Sequence, residues 1–300
     1  TLRHRGFAAP HSPRFHRIGK RWWVLAIVLL LGSRVAIDPA KAQDSSRPQS
    51  YWQFAASGRL DTVLSADVNG DGVDEFLILD ENGHLTLLSA DGRQEWSYVS
   101  QEPVTALGTV ASTERQLTVR EIVLAGTDYL TMLDINGEAL WRVPLNSQTA
   151  PVAIESFDYL ADGNEDILLL LGSGQLLAFN ASGEVIWQFA GQDNPAAIVN
   201  PQMLVDDFDG DGRKEIVVGI FTARRFSELF YLDDGTLRWQ QSISRRISSI
   251  TKAPFGPSGS SIAVGTNFGQ LDIYSTTGEL LWYRTVNRPI TSLVAIELPN

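Results

Sequence analysis

Two acidic segments of this 300-residue chain share one spacing: Asp67-Val68-Asn69-Gly70-Asp71-Gly72-Val73-Asp74-Glu75 and Asp207-Phe208-Asp209-Gly210-Asp211-Gly212-Arg213-Lys214-Glu215. Oxygen side chains at positions one, three and five converge when the backbone curls around one point. Glycines at four and six permit the curl, and an acid at position nine closes it. A hard, all-oxygen set of this kind suits calcium, with the backbone carbonyls of Val73 and Arg213 as further ligands. The expected ligands are therefore Asp67, Asn69, Asp71, Val73 and Glu75 in one loop, and Asp207, Asp209, Asp211, Arg213 and Glu215 in the other.

Each segment runs straight into an apolar stretch, Phe76-Leu77-Ile78-Leu79 or Ile216-Val217-Val218. A closing acid at nine rather than twelve, between strands rather than helices, separates the loops from an EF-hand. A weakened version, Asp158 to Asp166, has Leu160 where the third-position oxygen should stand. Loops fitted to some repeats and missing from others point to local bracing rather than catalysis.

Other chemistry finds little support. Cysteine is absent, which excludes disulfides, thiolate nucleophiles and a cysteine-borne lipid anchor. His84 is the one histidine outside the first 42 residues and reads as an exposed turn residue, so clustered-histidine zinc, copper or iron sites are excluded there. Asp128 and Asp272 are isolated acids, more easily structural than basic catalysts. Gly172-Ser173-Gly174 has neither a following helix nor a lysine and reads as a hairpin rather than a phosphate cradle. Arg224-Arg225 and Arg245-Arg246 read as solvated pairs. No enzyme is expected.

The elements that must hold the loops are visible in a repeat. Glycine precedes tryptophan by four residues five times: Gly92/Trp96, Gly137/Trp141, Gly183/Trp187, Gly235/Trp239 and Gly278/Trp282. Successive tryptophans lie 45, 46, 52 and 43 residues apart, and Trp52 stands 44 before Trp96, the period of a four-stranded propeller blade. In the first repeat the strands are expected at Asp61 to Ala66, Glu75 to Leu79, His84 to Ser89 and Gln94 to Tyr98, with Asn82-Gly83 and Asp91-Gly92 as hairpin turns. Continuous apolar second strands, such as Ile167 to Leu171, suit strands buried on both faces, and the tryptophans read as packing residues that cover the gap to the next blade.

The expected fold is all-β: a propeller of four-stranded antiparallel blades, five complete between about residues 57 and 288. Partial blades flank them at Tyr51 to Phe54 and Thr291 to Leu298, as in a fragment of a six- to eight-bladed parent. The calcium loops resemble FG-GAP or VCBS repeats, known from integrin α-subunit propellers and secreted bacterial proteins, and the G-x-x-x-W feature resembles PQQ-like repeats. Together the resemblances cover residues 51 to 300. They imply a propeller and calcium roles for the matching loop residues. The PQQ-like resemblance also brings a quinone-dependent oxidoreductase into consideration, but no vicinal cysteines and no clear cofactor-binding set accompany it.

Residues 1–42 combine basic side chains with an apolar run from Trp22 to Gly32 and the small-residue pattern Ala40-Lys41-Ala42. That layout is a signal peptide cleaved after Ala42, the run being shorter than the roughly 20 residues a bilayer needs, with an uncleaved anchor as the alternative. Residues 43–50 read as a linker. Without the leader, 16 basic and 34 acidic side chains remain, a net charge of −18. Nucleic acid and anionic membrane surfaces are disfavoured partners, and divalent cations are attracted. The function expected is an exported, calcium-stabilised module that binds a protein or glycan, secreted, periplasmic or at the cell surface. A periplasmic envelope-assembly scaffold indifferent to calcium is the alternative.

Overall fold

The computed structural model describes residues 52–111, 119–191, 201–222, 225–256 and 259–295. The expected leader and linker lie outside these residues, as do Tyr51 and Arg224. Blade 1 comprises β1 (Leu60–Ala66), β2 (Glu75–Asp80), β3 (His84–Leu88) and β4 (Gln94–Val99). Blade 2 comprises β5 (Val104–Ala111), β6 (Arg120–Gly126), β7 (Tyr129–Leu133) and β8 (Ala139–Pro144). Blade 3 comprises β9 (Pro151–Phe157), β10 (Asp166–Leu171), β11 (Leu176–Phe179) and β12 (Val185–Phe189). Blade 4 comprises β13 (Gln202–Asp206), β14 (Glu215–Phe221), β15 (Ser227–Asp233) and β16 (Thr236–Ile243), and blade 5 β17 (Ile247–Ala253), β18 (Ser261–Thr266), β19 (Gln270–Tyr274) and β20 (Leu280–Thr285). Each blade is a four-stranded antiparallel sheet with its strands in chain order. This is a β-propeller. Among the described residues no helix is long and apolar enough to cross a membrane.

The apolar second strands are buried on both faces because each face meets a different blade. On β10, Ile167, Leu169 and Leu171 join a core with Val123 and Met132 of blade 2. The intervening Leu168 and Leu170 join another with Val218 and Phe230 of blade 4. Period-two alternation thus divides one strand between two inter-blade cores. On β14, likewise, Val217 packs toward blade 5 and Val218 toward blade 3.

The glycine–tryptophan signature joins consecutive blades. Five of the tryptophans lie against the hairpin glycine of the following blade: Trp52 on Gly92, Trp96 on Gly137, Trp141 on Gly183, Trp187 on Gly235 and Trp239 on Gly278. A Cβ at Gly92 would stand 2.4 Å from the Trp52 ring, and one at Gly278 would stand 2.9 Å from Trp239. In four of these the indole Nε1–H donates to a carbonyl two residues before that glycine, at 3.1 Å for Trp52 to Ala90, 2.8 Å for Trp96 to Ile135, 2.9 Å for Trp141 to Ala181 and 2.8 Å for Trp239 to Thr276. In every blade the ladder between the third and fourth strands slips beside the tryptophan's cross-strand pair, a bulge that sets the indole's aim.

Trp52 therefore docks as a fourth-strand tryptophan does, although residues 52–56 form no strand. Residues 291–295 form none either, but Ile290 and Leu293 close the outer core of blade 5. His84 is not simply an exposed turn residue. It opens β3, with Nδ1 2.7 Å from Ser57 Oγ and 3.6 Å from Asp80 Oδ2, while Ser57 Oγ donates to Asp80 at 2.5 Å. Asp80 in turn accepts the N–H groups of Asn82 and His84, so the cluster ties down the β2–β3 hairpin.

Candidate metal loops

In antiparallel blades ordered 1-2-3-4, the connection between the first and second strands and the hairpin between the third and fourth emerge at the same end. Both acidic loops and the tryptophan-receiving glycines thus share one face of the propeller.

In blade 4 the loop between β13 and β14 curls as its spacing requires. Asp207 Oδ1 accepts the Gly210 N–H at 2.6 Å and its Oδ2 the Gly212 N–H at 3.0 Å. Asp209 Oδ1 accepts from Asp211 at 3.1 Å, and Asp211 Oδ1 from Arg213 at 2.8 Å. Gly210 and Gly212 have φ of +83° and +90°, and a Cβ on either would meet nothing within 4 Å, so backbone conformation rather than space requires glycine. One carboxylate oxygen from each of Asp207, Asp209, Asp211 and Glu215 lies within 4.8 Å of the others.

Glu215 is the buried member, 1% exposed. Its Oε2 accepts the Phe208 N–H at 2.7 Å and the Tyr231 hydroxyl at 3.2 Å, and its Oε1 is buried without a hydrogen-bond partner. Burial raises its pKa to about 6, and the Asp209 and Asp207 charges push the same way. A buried carboxylate oxygen left unpaired is costly, and a cation among these four carboxylates would relieve it. The residues present fit a hard divalent ion.

The loop of blade 1 repeats the curl with a different closure. Asp67 accepts from Gly70, Asp71 and Gly72 at 2.8, 3.1 and 2.9 Å, and Asp71 Oδ1 accepts from Val73 at 2.8 Å. Asn69 Oδ1 accepts the Asp71 N–H at 2.8 Å, while its Nδ2 donates to Glu75 Oε1 at 2.9 Å. Both Glu75 oxygens are therefore hydrogen-bonded, Oε2 by the Val68 N–H at 3.0 Å. Among the described residues only the blade 4 loop gathers its carboxylates into a tight cluster.

In blade 3 the weakened loop keeps the Asp158 and Asp162 turns, and Asp166 Oδ2 accepts the N–H groups of Tyr159 and Leu160, both at 3.1 Å. Leu160 is exposed, and Ala161 holds φ +55° where the other loops have glycine. The third-position oxygen is missing. Glu165 instead accepts from Arg120 Nη2 at 3.0 Å and from the Ala111 N–H at 2.8 Å, tying blade 3 to blade 2.

Both full loops also lean on the next blade, which spacing did not disclose. Lys252 on β17 donates to Asp206 Oδ1 at 2.7 Å and to the Asp207 carbonyl. The Arg120 N–H on β6 donates to the Val68 carbonyl at 2.9 Å. Of the isolated acids, Asp272 is buried on β19, accepting from Gln270 Nε2 at 2.7 Å, and Asp128 is exposed.

Residues 45–129 match the family model of the lambda-carrageenase beta-propeller domain. No curated protein matches the chain. Among solved structures, the chain is similar to BBS1N in a complex with ARL6DN, with a TM-score of 0.56 and 15% identity over 78% of this chain and 71% of that one. It is similar to Saccharomyces cerevisiae Sqt1, with a TM-score of 0.55 and 12% identity over 72% of this chain and 60% of that one. Chaetomium thermophilum Raptor matches with a TM-score of 0.53 and 10% identity, over 79% of this chain and 21% of that one. At these identities the likeness is one of fold.

Proposed function

We propose that this chain is an exported, calcium-braced propeller that acts by binding, offering the face that carries its acidic loops to a protein or glycan partner. The observation that carries the reading is Glu215 Oε1, buried and unpartnered beside three aspartates. Asp207, Asp209, Asp211, Glu215 and the Arg213 carbonyl would hold one ion. Asp67, Asn69, Asp71, Glu75 and the Val73 carbonyl would hold a second, in keeping with the likeness of both loops to FG-GAP or VCBS repeats. Calcium there supplies positive charge and cross-links the loop. At roughly 1 mM ion and a Kd of about 0.1–1 mM, each site adds about 0.4–1.4 kcal/mol of stability.

Export is supported by residues 1–42, read as a cleaved signal ahead of a 43–50 linker and a 51–300 propeller. The charge of −18 left after cleavage suits a calcium-rich exterior. A protein partner is supported by the likeness to BBS1N, which is solved in complex with ARL6DN. Terbium luminescence tests the metal half of the reading, because Tyr231 bonds directly to Glu215 and its ring stacks on Trp239. Excitation of the aromatic rings should give terbium emission that calcium quenches, that Asp211→Ala reduces and that Asp71→Ala/Asp211→Ala removes. Absent emission from the folded chain would contradict it.

A further inference from the structure

We propose that the end of the propeller opposite the acidic loops carries a second docking surface, an arginine cluster on blades 4 and 5 that takes the carboxylates of a short acidic segment of a protein partner. The surface needs neither calcium nor the loop face, and so extends the binding reading above. Antiparallel order puts the hairpins between second and third strands, and the connections from each fourth strand to the next blade, at that end. Arg225 stands in the β14–β15 turn, Arg245 and Arg246 between β16 and β17, and Phe268 in the β18–β19 turn. Arg284 lies near the end of β20 and Arg288 just beyond it.

Backbone contacts gather these segments. The Ile247 N–H donates to Ser227 Oγ at 3.0 Å, joining the Arg225 turn to the connection that carries Arg246. The Asn267 N–H donates to the Arg246 carbonyl at 3.0 Å, and a Cβ on Gly269 would stand 2.5 Å from the Arg288 carbonyl oxygen. Phe268 is thus set between two arginine-bearing connections. Its ring is 62% exposed, and the Arg245 guanidinium lies over it at 4.7 Å.

Pairing sets this end apart. Among the described residues the other arginines rest on carboxylates: Arg59 on Glu81, Arg93 on Asp91, Arg120 on Glu165, Arg142 on Glu102, Arg213 on Asp234 and Arg238 on Asp233. Arg225, Arg245, Arg246, Arg284 and Arg288 make no ion pair among those residues. Their turns contain no acid, and Glu228 and Asp272 on the adjoining strands are buried, accepting from Gln240 and Gln270.

Blade 2 shows what completes such a stack. There the Arg142 guanidinium lies over the Tyr129 ring at 3.8 Å, and its Nη2 donates to Glu102 Oε1 at 3.5 Å. A ring that supports one face of a guanidinium leaves the in-plane N–H fork for a carboxylate. Blade 5 repeats the stack, Arg245 on Phe268, without the carboxylate. The surroundings limit the partner's extent. Glu81 and Asp128 are exposed at the same end on blades 1 and 2, so a flat anionic membrane or a long polyanion laid across it would meet like charge. A short acidic segment meets arginine alone, and an apolar side chain beside its acids would cover the Phe268 ring.

The test is fluorescence anisotropy of a labelled peptide of six glutamates around one leucine, and of its glutamine counterpart, on the full chain in chelator and in calcium. The glutamate peptide should bind equally in both buffers and the glutamine peptide roughly tenfold more weakly. Raising salt from about 50 to about 300 mM should weaken the glutamate peptide roughly tenfold. Arg245→Gln/Arg288→Gln should cost roughly tenfold in affinity and Arg245→Lys several-fold, because an ammonium does not reproduce the stacked fork. Arg93→Gln, at the opposite end, should cost nothing. Equal binding of the glutamine peptide, unchanged binding in Arg245→Gln/Arg288→Gln, a requirement for calcium, or tighter binding of a heparin oligosaccharide or phosphatidylserine vesicles at these arginines would overturn the proposal. Terbium emission separates the two readings, because it persists if only the arginine surface is misread and is absent if the metal loops are.

Discussion

The indole of Trp96 lies on Gly137 of the following blade so closely that a Cβ at residue 137 would fall 2.8 Å from its ring. The same glycine holds φ +79° and stands two residues after Ile135, the carbonyl of which accepts the indole N–H. Two requirements, a left-handed backbone and an open surface, thus fall on one residue.

Gly137→Ala should therefore cost both terms, about 1–2 kcal/mol for the left-handed backbone and a further 1–3 kcal/mol or so for the steric conflict. Gly210→Ala, with φ +83° and open space around it, should cost the first term alone. Urea melts of both variants in chelator check this, and equal losses would refute the docking argument.

Glu215→Gln should change sign with the ion. In chelator the substitution removes a buried, unpaired negative charge and should leave the melting temperature unchanged or higher. In millimolar calcium it removes a ligand, and the parent should be the more stable, by on the order of 1 kcal/mol. Thermal melts of the two proteins in both buffers decide it.

Lys252→Met should loosen blade 5 from the blade 4 loop. Because Lys252 and Asp206 are both partly exposed, the cost should stay below about 1 kcal/mol and shrink in high salt. A salt-independent loss in urea melts would show that the lysine acts through packing against Phe208 rather than through charge.

Asp272 gives a pH dependence. Burial raises its pKa, so the folded chain holds this proton more tightly than the unfolded one. Its contribution is fully present below the ordinary aspartate value of 3.8 and declines as pH rises through the elevated folded value. The stability difference between Asp272→Asn and the parent should accordingly shift in favour of the variant as pH rises through that window, as denaturant melts across pH will show.

Much of this architecture is legible along the chain because its signals are local. Asp207 through Glu215 announces a curled loop by spacing, and Gly92 with Trp96 announces a hairpin followed by a packing residue. The receiving partner is not legible, because Trp96 meets Gly137 of the next repeat rather than Gly92 of its own. Lys252 is 46 residues from Asp206, and no local pattern pairs them. Tyr231 looks like an ordinary strand aromatic until the fold brings its hydroxyl to Glu215. His84 reads as exposed until the fold brings Ser57, 27 residues away, to its ring. Asn69 and Asp209 look interchangeable as third-position ligands. Only the fold shows that an amide can close its loop by bonding Glu75, whereas a carboxylate leaves Glu215 Oε1 alone.

Calorimetric titration of the full chain with calcium, beside Asp71→Ala/Asp211→Ala, asks whether the two loops hold ions. Two sites are expected in the parent and none in the double variant, with a melting temperature that falls in the parent when chelator is added. A folded parent that takes up no calcium and melts identically with and without chelator would contradict it.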